Sequence, residues 1–203
     1  MILPFALPAT RLPHSRGFSL IELVVTVGIL TVITGALLAN HASFGGSILV
    51  ENLAYDVALS LRQAQVFGLS VREFNTGSGQ FDIGYGIHFD RDDLSTYRLF
   101  ADIDKGKTFN AGDGTEEIFT IGRGYSIRDI CATSLGGVEV CSSTGALQNL
   151  DVVFIRPDPD AIMRVNGDTA SVYQRARIVV QSPQEKTREV SVEATGQISV
   201  SQQ

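Results

Sequence analysis

Residues 16–39 read RGFSLIELVVTVGILTVITGALLA, and this stretch decides how the rest of the chain is organised. The 22 positions from Phe18 to Ala39 hold a single ionisable side chain, Glu22. At the α-helical rise they extend roughly 33 Å, which matches the hydrocarbon core of a bilayer. On the N-terminal side stand Arg11, His14 and Arg16 with no acid, and prolines at 4, 8 and 13 speak against a packed element. On the other side no Lys or Arg occurs before Arg62. That asymmetry predicts an N-terminus in the cytoplasm and the bulk of the chain outside.

A secretory signal peptide shares the basic start and the apolar run, but is cut after the run behind small residues at −3 and −1. A cut after Ala42 would place Asn40 at −3, which suits that cleavage poorly. Glu22 is the sharper anomaly. A carboxylate in lipid is costly unless it finds a partner, so it is a functional candidate by default. The plain alternative is an acid lodged at the headgroup edge.

The segment Arg16-Gly17-Phe18-Ser19-Leu20-Ile21-Glu22-Leu23 resembles the type IV prepilin signature, a basic leader ending in Gly before a mature Phe, with Glu four positions after it. In that family a prepilin peptidase cuts after the Gly on the cytoplasmic side and methylates the new N-terminal residue. The resemblance implies cleavage between Gly17 and Phe18, N-methylation of Phe18, and an apolar helix that stays on the mature protein. It also implies an assembly role for Glu22. Pairing between the carboxylate of an incoming subunit and the Phe18 amine of its neighbour would offset the burial of both charges and set the axial register.

Composition narrows the function classes. The 203 residues suffice for one globular domain with an appended helix. The formal net charge is −6, and losing residues 1–17 removes Arg11 and Arg16 but no acid, leaving −8. That balance argues against general nucleic-acid affinity. Cys131 and Cys141 lie ten apart among Gly, Ser and Thr, unlike zinc or redox pairs, which usually have about two to four residues between the thiols. In an oxidising compartment a disulfide closing this loop is expected, contributing about 2–3 kcal/mol. Two reduced thiols packed as small apolar groups are the alternative.

Past the span, Leu49, Leu53, Val57, Leu61, Ala64, Gly68 and Val71 recur at helical spacing, while Gln65 and several charges fall mostly on other faces. One long helix from Phe18 to about Phe74 is predicted, with Gly45-Gly46 as the place for an interruption. From Gln80 the period becomes two. DIGYGIHFD, STYRLFAD, EEIFTI, LDVVFIRP, DAIMRV, YQRARIVVQS, TREVSVEA and QISVS predict about seven or eight short strands. The fold class is α+β: a long N-terminal transmembrane and amphipathic helix packed on an antiparallel β-sheet head. The expected divisions are a leader at 1–17, a transmembrane and assembly helix at 18–39, its amphipathic half at 40–74 and a β-rich extracytoplasmic head at 75–203.

The segments NLAYDVALSLRQAQVFGLSV, GYGIHFD and TREVSVEATGQISVS are similar to the GspH/FimT group, which contains the minor pseudopilin H of type II secretion and minor pilins of type IV pili. That likeness implies a minor structural subunit with other pilins or pseudopilins, the prepilin peptidase and the inner membrane as partners. FimT-like pilins of DNA uptake carry an arginine-rich C-terminal stretch. The matching turn here, ATGQISVSQQ, has no Arg, so DNA binding through that end is not expected. A membrane-anchored extracytoplasmic binding module, such as an adhesin or DNA-uptake pilin, is the second reading.

The remaining constellations are weaker. ADIDKGKTFNAGDGTEE resembles a degenerate calcium loop through Asp102, Asp104 and Asp113. Counted from Asp102, however, position five is Gly106 and position six is Lys107, where an EF-hand wants a carboxylate and a glycine. An acidic surface turn is the expected state, and calcium is the one cofactor the residues suggest. His14, His41 and His88 form no catalytic or metal grouping. Asp158 and Asp160 around Pro159 read as a turn. Arg175 and Arg177 share a strand face and await an acid or a partner subunit. No catalytic set is predicted, and the chain is read as a structural protein rather than an enzyme.

Overall fold

The computed structural model describes residues 17–71, 73–74, 79 and 81–202, apart from the side chains of 39–46. The expectations placed on Arg11, His14, Arg16 and the His41 side chain lie outside the described residues. The chain divides into two units, Met1–Ala42 and Ser43–Gln203.

Helix α1 is assigned over Leu20–Leu69, a range that includes Gly45 and Gly46. In the first unit, Leu20–Leu38 has a mean hydropathy of 2.3 and is exposed throughout. Two of its hydroxyls are answered locally. Thr26 Oγ1 donates to the Leu23 carbonyl at 3.0 Å and Thr31 Oγ1 to the Val27 carbonyl at 2.8 Å, so neither hydroxyl needs water. Ser19 stands at the N-cap, its Oγ accepting the Glu22 amide at 3.2 Å.

In the second unit, α1 buries Val50, Ala54, Val57, Leu61 and Ala64, an apolar stripe at three- and four-residue spacing. The stripe is rotated from the expected one: Leu49 and Val71 are exposed and Gln65 is buried. Small side chains explain the phase, because Ala54, Ala64 and Gly68 allow the sheet to come close. A Cβ at Gly68 would lie 2.2 Å from the Phe154 carbonyl oxygen. The helix also ends at Leu69, earlier than the expected Phe74. Ser70 closes the last turn, its amide donating to the Val66 carbonyl and its hydroxyl to the Phe67 carbonyl. Phe74 instead packs with Phe67 over Ile83, Tyr85 and Ala101.

The strands among the described residues are β1 (Gly84–Asp90), β2 (Asp93–Asp102), β3 (Gly114–Thr120), β4 (Ser126–Ser134), β5 (Glu139–Cys141), β6 (Asn149–Phe154), β7 (Ala161–Val165), β8 (Tyr173–Gln181), β9 (Thr187–Glu193) and β10 (Ile198–Ser201). They form two antiparallel sheets of five rather than one, ordered β3-β2-β1-β6-β7 and β10-β9-β8-β4-β5. One core joins the helix stripe to Ile87 and Phe89 of β1, Val152 and Phe154 of β6, Ile130 of β4, Ile178 and Val180 of β8, and Val190 and Val192 of β9. The α+β class is as the sequence predicts.

The unpredicted strands are β4 and β5. The region around Cys131 and Cys141, expected as an outward loop, is a hairpin whose first strand is buried beside β8. Its apolar residues escape a period-two reading because the β4–β8 register shifts between Ile127 and Asp129. Ile127 and Ile130 are thereby both buried although three residues apart.

Candidate functional site

The N-terminal candidates sit where the helix begins. Gly17, Phe18 and Ser19 precede α1 in extended or irregular backbone and are exposed, so the Gly17–Phe18 bond is accessible. Glu22 lies in the first turn of α1, three residues after the N-cap Ser19. That is capping-box spacing, and a carboxylate there also favours the positive end of the helix dipole. Sequence reasoning passed over Ser19, although Ser-x-x-Glu before an apolar run is its signal.

Residues 12–38 match the model of the prokaryotic N-terminal methylation motif. The match covers the Gly17–Phe18 junction, Glu22 and the apolar helix, and none of the strands. It indicates a pilin- or pseudopilin-type chain processed by a prepilin peptidase and assembling with other pilins. It points to a structural subunit rather than an enzyme, and with the apolar helix it fits membrane anchoring. Comparison of the chain with curated proteins and with solved structures gives no match.

In the head, the acidic residues of the β2–β3 connection converge. Asp102 ends β2, Asp113 immediately precedes β3, and one carboxylate oxygen from each of Asp102, Asp104 and Asp113 lies within 4.8 Å of the others. Asp104 accepts the Gly106 amide at 2.8 Å and the Asn110 side-chain amide at 2.9 Å, and the Gly106 contact leads in lowering its pKa. Asp113 accepts the amides of Ile103 and Asn110, yet burial leaves its pKa raised. Asp102 is fully buried, and burial pushes its pKa up to about 6. Its Oδ2 accepts the Lys107 amide at 3.0 Å, while its Oδ1 has no hydrogen-bond partner.

The same connection covers the outer face of β1. Phe109 packs on His88 at 4.7 Å between ring centroids and edge-on to Phe100 at 5.3 Å, with the Arg98 guanidinium 5.4 Å from its ring. Beneath it His88 Nδ1 and Asp151 Oδ1 lie 2.7 Å apart on directly paired residues of β1 and β6. Burial raises the Asp151 pKa against the opposing contact with His88. The pair is nearly enclosed, packs against Phe109 and ties β1 to β6.

Cys131 and Cys141 are joined by a disulfide across directly opposed positions of β4 and β5. Both thiols being consumed, their proximity to Asp129 makes no metal site. Asp129 accepts the hydroxyls of Ser142 and Ser143, both at 2.7 Å, and the Ser143 amide at 3.0 Å. Burial alone would raise its pKa, but these donors outweigh it and the pKa is lowered. Arg175 and Arg177 meet acids within the head. Arg175 Nε is 2.6 Å from Glu193 Oε1, and Arg177 spans Glu139 at 3.0 Å and Glu189 at 3.4 Å. Burial works against the Arg177 charge, and the two glutamates outweigh it to raise its pKa. Asp158 and Asp160 are exposed in the turn after β6.

Sequence reasoning placed Gln65 on the wrong face. Its Nε2 donates to the carbonyls of Pro159 and Gly196, each at 3.0 Å, tying α1 to two turns of the head.

Proposed function

We propose that this chain is a structural subunit, a minor pseudopilin or minor pilin of the GspH/FimT type, serving a type II secretion system or a type IV pilus. The observation that carries this reading is the overlap of the methylation motif with an exposed helix of membrane-spanning length that holds one acid, Glu22. On this reading residues 1–17 are a leader, cut between Gly17 and Phe18, and Phe18 becomes the N-methylated terminus. The helix anchors the chain in the inner membrane with its N-terminus cytoplasmic and its β-rich head outside, then packs among other pilins. Glu22 answers the Phe18 amine of a neighbouring subunit. The GYGIHFD strand and the C-terminal β9–β10 hairpin support the GspH/FimT assignment. The lack of Arg in the C-terminal turn speaks against DNA as the partner of that end.

The test is co-expression of the full chain with a prepilin peptidase, followed by intact mass and N-terminal sequencing. The mature protein should begin with N-methylated Phe18, and Gly17→Ala should leave the leader attached. A mature terminus elsewhere overturns the reading. Correct processing without entry into any filament would favour an anchored binding module.

A further inference from the structure

We propose that the β2–β3 loop of the head binds calcium through the carboxylates of Asp102, Asp104 and Asp113. The fold brings these three acids together within 4.8 Å from the end of one strand, the loop and the start of the next. Hydrogen bonds from loop amides account for the oxygens of Asp104 and Asp113. They do not account for Asp102. That residue is 0% exposed, its Oδ2 turns into the loop toward the Lys107 amide, and its Oδ1 receives no donor. A buried carboxylate oxygen without a donor is costly, and two further carboxylates beside it add repulsion. A dication among the three removes both costs at once.

The donor set selects the ion. Hard oxygen ligands with no nitrogen or sulfur suit calcium or magnesium rather than zinc or copper. Calcium accepts roughly six to eight oxygens in irregular mono- or bidentate arrangements, whereas magnesium demands near-ideal octahedral geometry. Three carboxylates on one irregular connection, completed by water, meet the looser requirement. Two lysines of the connection, Lys105 and Lys107, are accommodated by the fold. The Lys105 ammonium is held by Asp82 Oδ2 at 2.8 Å. Lys107, where a calcium loop wants glycine, takes the left-handed backbone that glycine normally supplies, with φ 60°. Lys107 also lines a cavity with Asp160 and Arg164.

The experiment uses the full chain in detergent, stripped with EDTA and titrated with CaCl2 or MgCl2 by calorimetry and thermal unfolding. Calcium in the range of roughly 0.1–1 mM should bind and raise the unfolding temperature, with magnesium clearly weaker. Asp102→Asn should abolish the calcium response. Asp104→Asn, at an exposed position that leaves the fold intact, should weaken the affinity by about tenfold or more. Absence of any calcium-dependent heat and shift, equal responses to the two ions, or an undiminished response in Asp104→Asn overturns the proposal.

Discussion

Two residues in α1 separate what sequence spacing reveals from what only folding reveals. Glu22 was legible at once, because an acid in an apolar run has few reasons to exist. Its capping-box spacing from Ser19 at the helix N-terminus sharpens the test of the proposed assembly role. Glu22→Ala should be processed normally yet enter filaments poorly, as measured by cleavage on immunoblots and by recovery in sheared filaments. Glu22→Gln keeps a capping-box side chain without the charge. If Gln restored incorporation, the ion pair with the neighbouring Phe18 amine would be lost as an explanation. Gln65 was not legible. Its partners, the carbonyls of Pro159 and Gly196, are remote in sequence and no pattern within the helix announces them. Gln65→Leu should destabilise the head by about 1–3 kcal/mol in chemical denaturation, since it leaves the buried Gly196 carbonyl without this donor and frees the part-buried Pro159 carbonyl from the helix. Gly68→Ala should cost a similar amount, about 1–3 kcal/mol, because the obstacle is the Phe154 backbone, which cannot rotate aside.

At the scale of elements, period two exposed eight strands, including β2 despite its shift between Leu99 and Phe100, and hid the β4–β5 hairpin. The shift between Ile127 and Asp129 offsets the alternation at Arg128, so a buried strand reads as a mixed polar segment. Cys131 and Cys141, read as a disulfide closing a loop, instead stand opposite one another on two paired strands. The Cys131–Cys141 link fastens a three-residue edge strand to its partner. Replacing both cysteines by serine should lower stability by about 2–3 kcal/mol, seen as a drop in the unfolding midpoint that reducing agent reproduces in the native chain and not in the variant. Asp129 fastens the same hairpin by hydrogen bonds, and here acid is the probe. Its folded pKa lies below the ordinary 3.8, so its contribution is fully present above pH 3.8 and is lost as pH falls through the folded value. Unfolding midpoints followed downward from neutral pH should fall less steeply below pH 4 in Asp129→Asn than in the native head. Equal slopes would mean that the Ser142 and Ser143 contacts do not hold the folded carboxylate.

At the scale of the molecule, the two sheets are interleaved along the chain. The strands of the first come from β1 to β3 and from β6 and β7, while β4 and β5, lying between them in sequence, belong to the second. Neither sheet is a contiguous stretch, and one core of helix and both sheets unites them. The head should therefore unfold in one cooperative transition, with circular dichroism and aromatic absorbance giving coincident curves. Sequence periodicity identified the elements and their class but not this weave, because partner choice among strands depends on contacts between distant segments. The weave has a consequence for how the protein is made. Strand β4 must wait for central β8, and β8 for β9, so the second sheet cannot close until β9 and β10 have emerged. A polypeptide delivered in order from its N-terminus would hold its apolar strands open until the end of synthesis. The interval before the last hairpin arrives is its most vulnerable, when a chaperone or a protease decides its fate.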